Sequence, residues 1–116
     1  MTVTRSEPWR ELGAEPHVDT PAVTCWVESI PRGETRPFHT HDTPWLTVVV
    51  SGGRAQVLTP GGGEPEEVEL VTGTVKYNAL PPSGRVRHAL RNTGETDLLV
   101  VAVQLDLLPP GGPDRA

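Results

Sequence analysis

The stretch Gly33-Glu34-Thr35-Arg36-Pro37-Phe38-His39-Thr40-His41-Asp42-Thr43-Pro44-Trp45 decides how the chain reads, and it runs directly into the apolar segment Leu46-Thr47-Val48-Val49-Val50-Ser51. His39 and His41 stand two apart in a segment of strand character. Side chains alternate with a period of two along a strand, so both imidazoles share one face. A third histidine, His88, lies in Arg85-Val86-Arg87-His88-Ala89-Leu90-Arg91-Asn92. There Val86, His88 and Leu90 form one face, and the arginines form an outer, wet one. Three histidines on inward faces of neighbouring strands would converge on one point.

Working outward, apolar runs of strand length alternate with Gly- and Pro-rich turns. Ala22 to Ile30 is a first strand, turned by Pro31-Arg32-Gly33. Phe38 to His41 is a brief strand, and Trp45 to Ser51 is apolar on both faces. Gly52-Gly53 reads as a two-residue hairpin turn into Arg54–Thr59. Glu66–Val71, Thr74–Tyr77, the His88 segment and a last long strand, Asp97–Leu108, complete about eight strands. Turn signals every eight to twelve residues predict an all-β sandwich or barrel. Residues 1–22 read as an N-terminal arm laid across the domain and tethered by Trp9 and Leu12, with a short helix at Glu7–Leu12 as the alternative. Residues 23–108 form the barrel and residues 109–116 a loose tail.

At 116 residues the chain suits one core. Its net charge of −5, with basic residues dispersed, argues against a nucleic-acid surface. No polybasic tract suits an anionic membrane, and no apolar run approaches a transmembrane length. The N-terminus lacks an apolar signal core, and the single cysteine, Cys25, excludes an intrachain disulfide and reads as a small buried hydrophobe. A soluble cytoplasmic protein is the expectation.

The spacing of these residues resembles the two motifs of the cupin superfamily, the small single-domain conserved-barrel type. Gly33, five residues, His39-Thr40-His41, three residues, Trp45, six residues and Gly52 look like the first motif. Gly73, then Pro82-Ser83-Gly84, three residues, His88, three residues and Asn92 look like the second. The resemblance covers residues 23–108 and implies a double-stranded β-helix, or jelly-roll barrel. It carries His39, His41 and His88 onto the family's histidine ligand positions, with Trp45 and Thr47 as pocket wall.

Two departures stand out. Trp45 occupies the position where the family usually has a glutamate ligand, and the loop leading to His88 is longer than usual. Losing the glutamate lowers the negative charge at the metal by one, which favours an anionic substrate completing the shell. Asp42 replaces that carboxylate only if the corner after His41 bends inward, since parity points it away.

The resemblance implies a divalent transition metal, iron(II) in preference to zinc, nickel or manganese. It implies a small polar or anionic ligand and either dioxygenase-like or Lewis-acid chemistry of dioxygenase, isomerase or lyase type. The alternative is a non-catalytic binding or sensing module, with or without metal. Candidate substrate contacts are Tyr77, Gln104, which either lines the cavity or faces a partner, and Arg36 at the cavity mouth. His17 reads as an exposed loop residue. The outward apolar sets of Trp45–Ser51 and Asp97–Leu108 call for cover by a second copy, hence a homodimer.

Overall fold

The computed structural model describes residues 6–106. It begins with a helix, α1 (Pro8–Leu12), followed by β1 (Val18–Asp19), β2 (Val23–Ile30), β3 (Thr35–His41), β4 (Trp45–Ser51) and β5 (Gly53–Leu58). Strands β6 (Glu66–Leu70), β7 (Val75–Asn78), β8 (Val86–Asn92) and β9 (Leu98–Leu105) complete the order. Two antiparallel sheets form. The first runs β1-β2-β9-β4-β7 and the second β3-β8-β5-β6. The all-β jelly-roll expectation is met, and the long strands β2 and β9 each bury one alternate set of side chains between the sheets. In β9 that set is Leu98, Val100, Ala102 and Gln104; in β2 it is Thr24, Trp26, Glu28 and Ile30.

The inner space holds two apolar clusters. Ile30, Ala55 and Leu98 close one end of the barrel. Trp9, Leu12, Trp26, Trp45 and Ala102 close the other. The second cluster explains α1. Five residues are too few to hold a helix by propensity. Burial of Pro8, Trp9 and Leu12 holds it instead, with Pro8 in the first turn and Gly13 in the left-handed conformation (φ 73°) ending it. Within residues 1–22, Pro8–Leu12 is thus helical, and Trp9 and Leu12 are the buried side chains. Glu11 ties it down by accepting from the Thr40 amide and from the Arg87 guanidinium.

Three further corrections concern connections and exposure. β4 and β5 do not form a hairpin: β4 pairs with β7 and β9, and β5 with β6 and β8. The Gly52-Gly53 link carries the chain from one sheet to the other. Gly52 is required there by close packing, since a Cβ at this position would lie 1.9 Å from the Leu70 carbonyl oxygen. β3 begins at Thr35, earlier than Phe38, with a register shift between Arg36 and His39. Cys25 is only half-buried, because it points outward from β2. The last strand ends at Leu105, and the segment from residue 107 lies outside the described residues.

Candidate metal centre

β3 and β8 pair so that His39 stands opposite His88, with His41 one inward position further along β3. Their ring centroids lie 4.7 Å (His39–His88), 4.9 Å (His39–His41) and 5.1 Å (His41–His88) apart. One ligand nitrogen from each falls within 4.8 Å of the others. His39 and His41 are buried and His88 half-buried.

The protonation chemistry suits a cation. His39 Nδ1 lies 2.9 Å from the Pro37 carbonyl, which can only accept, so Nδ1 carries the proton and Nε2 presents a bare lone pair. Burial, with help from His39 and His88, pushes the His41 pKa down to about 2. Burial, His39 and Lys76 push His88 down to about 4. Both rings are therefore neutral at physiological pH, the state in which imidazole binds metals. His41 Nδ1 is buried with no hydrogen-bond partner among the described residues. A protonated Nδ1 there would leave Nε2 to coordinate.

Trp45 lies beside the three rings. It stacks on His41 with centroids 3.6 Å apart and planes 4° apart, and meets His88 edge-on at 5.9 Å. Trp26 lies near-parallel to His41 at 6.3 Å, and Trp9 packs against Trp26 at 5.2 Å. His41 is thereby held by a continuous aromatic array reaching back to α1. Asp42 does not replace the missing carboxylate. It turns outward and accepts from the Ser6 amide and hydroxyl.

The histidines open onto a cavity of about 810 Å³ between the sheets. Trp45 and Thr47 line it, as do the apolar Val49, Val57, Val100 and Ala102. Of the three candidate substrate contacts, Tyr77 borders the cavity at edge strand β7, but in register it pairs with Leu46 on the outer face of the sheet and is 54% exposed. Gln104 and Arg36 are not among the lining residues. Gln104 is buried and donates to Asp106. Arg36 donates to the Leu12 carbonyl at the end of α1. Asn92 is a structural clasp: its amide donates to the Ile30 and Thr96 carbonyls and accepts from the Gly94 amide.

Glu66, Glu69 and Arg87 line the cavity from the second sheet; from the first, sequence reasoning passed over two charged residues, Glu28 and Lys76. Strand parity would have found both. Glu28 alternates with the buried Trp26 and Ile30, and Lys76 pairs in register with Thr47.

No family model matches the chain, and no curated protein matches it in sequence. Solved structures do. A cupin domain from Bordetella pertussis Tohama I aligns over 79% of this chain and 90% of its own, with 20% identity and a TM-score of 0.67. An RmlC-like cupin from Methanocaldococcus jannaschii with a double-stranded β-helix fold aligns over 84% and 79%, with 21% identity and a TM-score of 0.60. The DMSP lyase DddQ from Ruegeria pomeroyi DSS-3 aligns over 78% of this chain but 43% of its own, with 24% identity and a TM-score of 0.53. With its two sheets, its strand order and these likenesses together, the chain has the double-stranded β-helix fold of the cupins.

Proposed function

We propose that this protein binds a divalent transition metal through His39, His41 and His88 and uses it to hold a small polar or anionic molecule in the cavity. The observation that carries this reading is the convergence of three ligand nitrogens within 4.8 Å of one another at an internal cavity. Three imidazoles leave coordination positions open, the ordinary arrangement of a catalytic site. A bound ion supplies Lewis acidity, and iron(II), which we favour over zinc, nickel or manganese, adds redox chemistry with O₂.

The protein's own groups do the rest. Lys76 on edge strand β7 and Arg87 on β8, both exposed, bring positive charge to a lining that also holds Glu28, Glu66 and Glu69. Val49, Val57, Val100 and Ala102 keep the interior apolar, so charges meeting there interact more strongly than in water. Trp45 fixes the His41 plane and walls one side. The chemistry is of dioxygenase, isomerase or lyase type, and the cytoplasm is the compartment in which we place it.

Protein purified without a chelating column and reconstituted anaerobically should hold about one metal ion per chain by elemental analysis, and His88→Ala should lose it. A wild-type protein without metal, or a variant that retains it fully, contradicts the reading. Stoichiometric metal with no turnover and no O₂ uptake would favour a sensing or storage role.

The outer face of the β1-β2-β9-β4-β7 sheet supports a homodimer. In register it carries Val18, Cys25, Val103, Leu46 and Tyr77 in one row and Val27, Val101, Val48 and Val75 in the next. Val18, Val50, Val75 and Tyr77 are 44–61% exposed. A face of this composition matches itself across a two-fold axis without stranding a charge. Light scattering should give twice the chain mass at micromolar concentration, and Val75→Glu should halve it. A monomer throughout that range refutes the dimer.

A further inference from the structure

Glu28 is a carboxylate in the cavity for which the three-histidine reading has no use. It faces inward from β2, is 7% exposed, and lines the same space as His39, His41 and His88. Glu66 and Glu69 also border the cavity but are exposed. Burying a carboxylate is costly unless its oxygens are well hydrogen-bonded. Here Oε2 accepts from the Trp26 indole N–H at 2.9 Å, and among the described residues Oε1 accepts from nothing.

The donor that holds it is rigid. Trp26 is 0% exposed and packs between Trp9 and His41, so the carboxylate is positioned relative to the histidines through one locked indole. The result is a preorganised hydrogen-bond acceptor on one sheet, facing a cavity whose histidines project from the other.

We propose that Glu28 is the specificity-determining residue of the cavity: Oε1 accepts a hydrogen bond from a hydroxyl that the ligand carries next to the oxygen it presents to the histidine-bound metal. The ligand class is therefore a small hydroxy-carboxylate or similar hydroxylated anion, and the inference rests on the three-histidine reading. The hydroxyl offsets the negative charge of Glu28, which would otherwise repel an anion, and the exposed Lys76 adds positive charge to the lining. An analogue lacking that hydroxyl leaves Oε1 unpaired and facing a negative charge, the situation in which polar sites discriminate most strongly.

The test uses cobalt(II)-loaded full-length protein, with binding read from the visible cobalt bands. Acetate and glycolate are the probes, since both are monocarboxylates and only glycolate has a hydroxyl. Wild-type protein should prefer glycolate by about tenfold or more, the worth of a hydrogen bond to a charged acceptor. Glu28→Gln preserves the clasp on Trp26, because the indole N–H takes the amide oxygen and turns the amide NH₂ into the cavity. An acceptor thus becomes a donor, and the preference for glycolate should fall by about fivefold or more while acetate binding holds or tightens.

A purely structural Glu28 would move both probes together, and an unchanged ratio overturns the proposal. If the variant does not fold, methoxyacetate titrated into wild-type protein decides: it should bind no better than acetate, and binding equal to glycolate overturns the proposal. Failure of the wild type to take up cobalt overturns the three-histidine reading and this proposal together, whereas cobalt uptake with an unchanged ratio overturns this proposal alone.

Discussion

Metal-free protein should lose stability steeply between pH 7 and pH 5, and His41 and His88 should account for much of the loss. Both have folded-state pKa values depressed below the usual histidine value of 6.5, to about 2 and about 4. Below pH 6.5 the unfolded chain therefore binds protons that the folded chain refuses, and stability rises with pH in that window. The contribution is complete above about pH 7. It falls as pH drops, and for His88 the loss levels off below about pH 4.

Between pH 7 and pH 5 each histidine should remove about 2 kcal/mol, a large share of the roughly 5–15 kcal/mol that holds a domain folded. Urea unfolding of chelator-treated wild type and His88→Gln at pH 7, 6 and 5 isolates one of them. The variant's curve should be shallower by about 2 kcal/mol over the interval. Parallel curves would show that His88 titrates as it does in the unfolded chain.

Trp45→Ala should cost about 3–5 kcal/mol in the same assay. The indole is 6% exposed within the cluster of Trp9, Leu12, Trp26 and Ala102, and its face lies on His41. Losing that stack adds about 0.5–1.5 kcal/mol to the cavity cost. Trp45→Glu should be destabilised to a similar degree, because it puts a charge into the same apolar cluster. A loss below about 1 kcal/mol for the alanine variant would mean that the end of the barrel is not built on this residue. The indole thus packs α1 against the histidines, through the cluster it shares with Trp9 and Leu12 and through its stack on His41.

Alternation made most of this legible in the sequence. Parity put His39 and His41 on one face, set His88 with Val86 and Leu90 opposite the arginines, and pointed Asp42 away from His41. It held because residues buried on one side of a sheet cannot slip by one position without exposing the whole set. What stayed hidden depends on contacts distant in sequence. Gly52-Gly53 satisfies the local rules for a hairpin, yet the approach of the Leu70 carbonyl and the partners of β4 and β5 determine its role. The helix at Pro8–Leu12 is too short to declare itself by propensity and exists because Trp9 and Leu12 find Trp26 and Trp45. Gln104 looked like a cavity or interface residue because it is a polar side chain in an apolar strand, and its amide NH₂ donates to Asp106 nearby instead. Glu28 lay in plain alternation with Trp26 and Ile30, but a glutamate in a strand reads as solvent-facing until its neighbours are known to be buried.

The proposed centre is a metal held by three histidines beside an indole. Anomalous diffraction from crystals of protein reconstituted with iron(II) under anaerobic conditions, recorded on both sides of the iron edge, tests this most directly. The prediction is a single peak at bonding distance from His39 Nε2 and from one nitrogen each of His41 and His88, with no ligand from Trp45 or Asp42. No peak among the three rings, or a peak bound elsewhere on the chain, would contradict it.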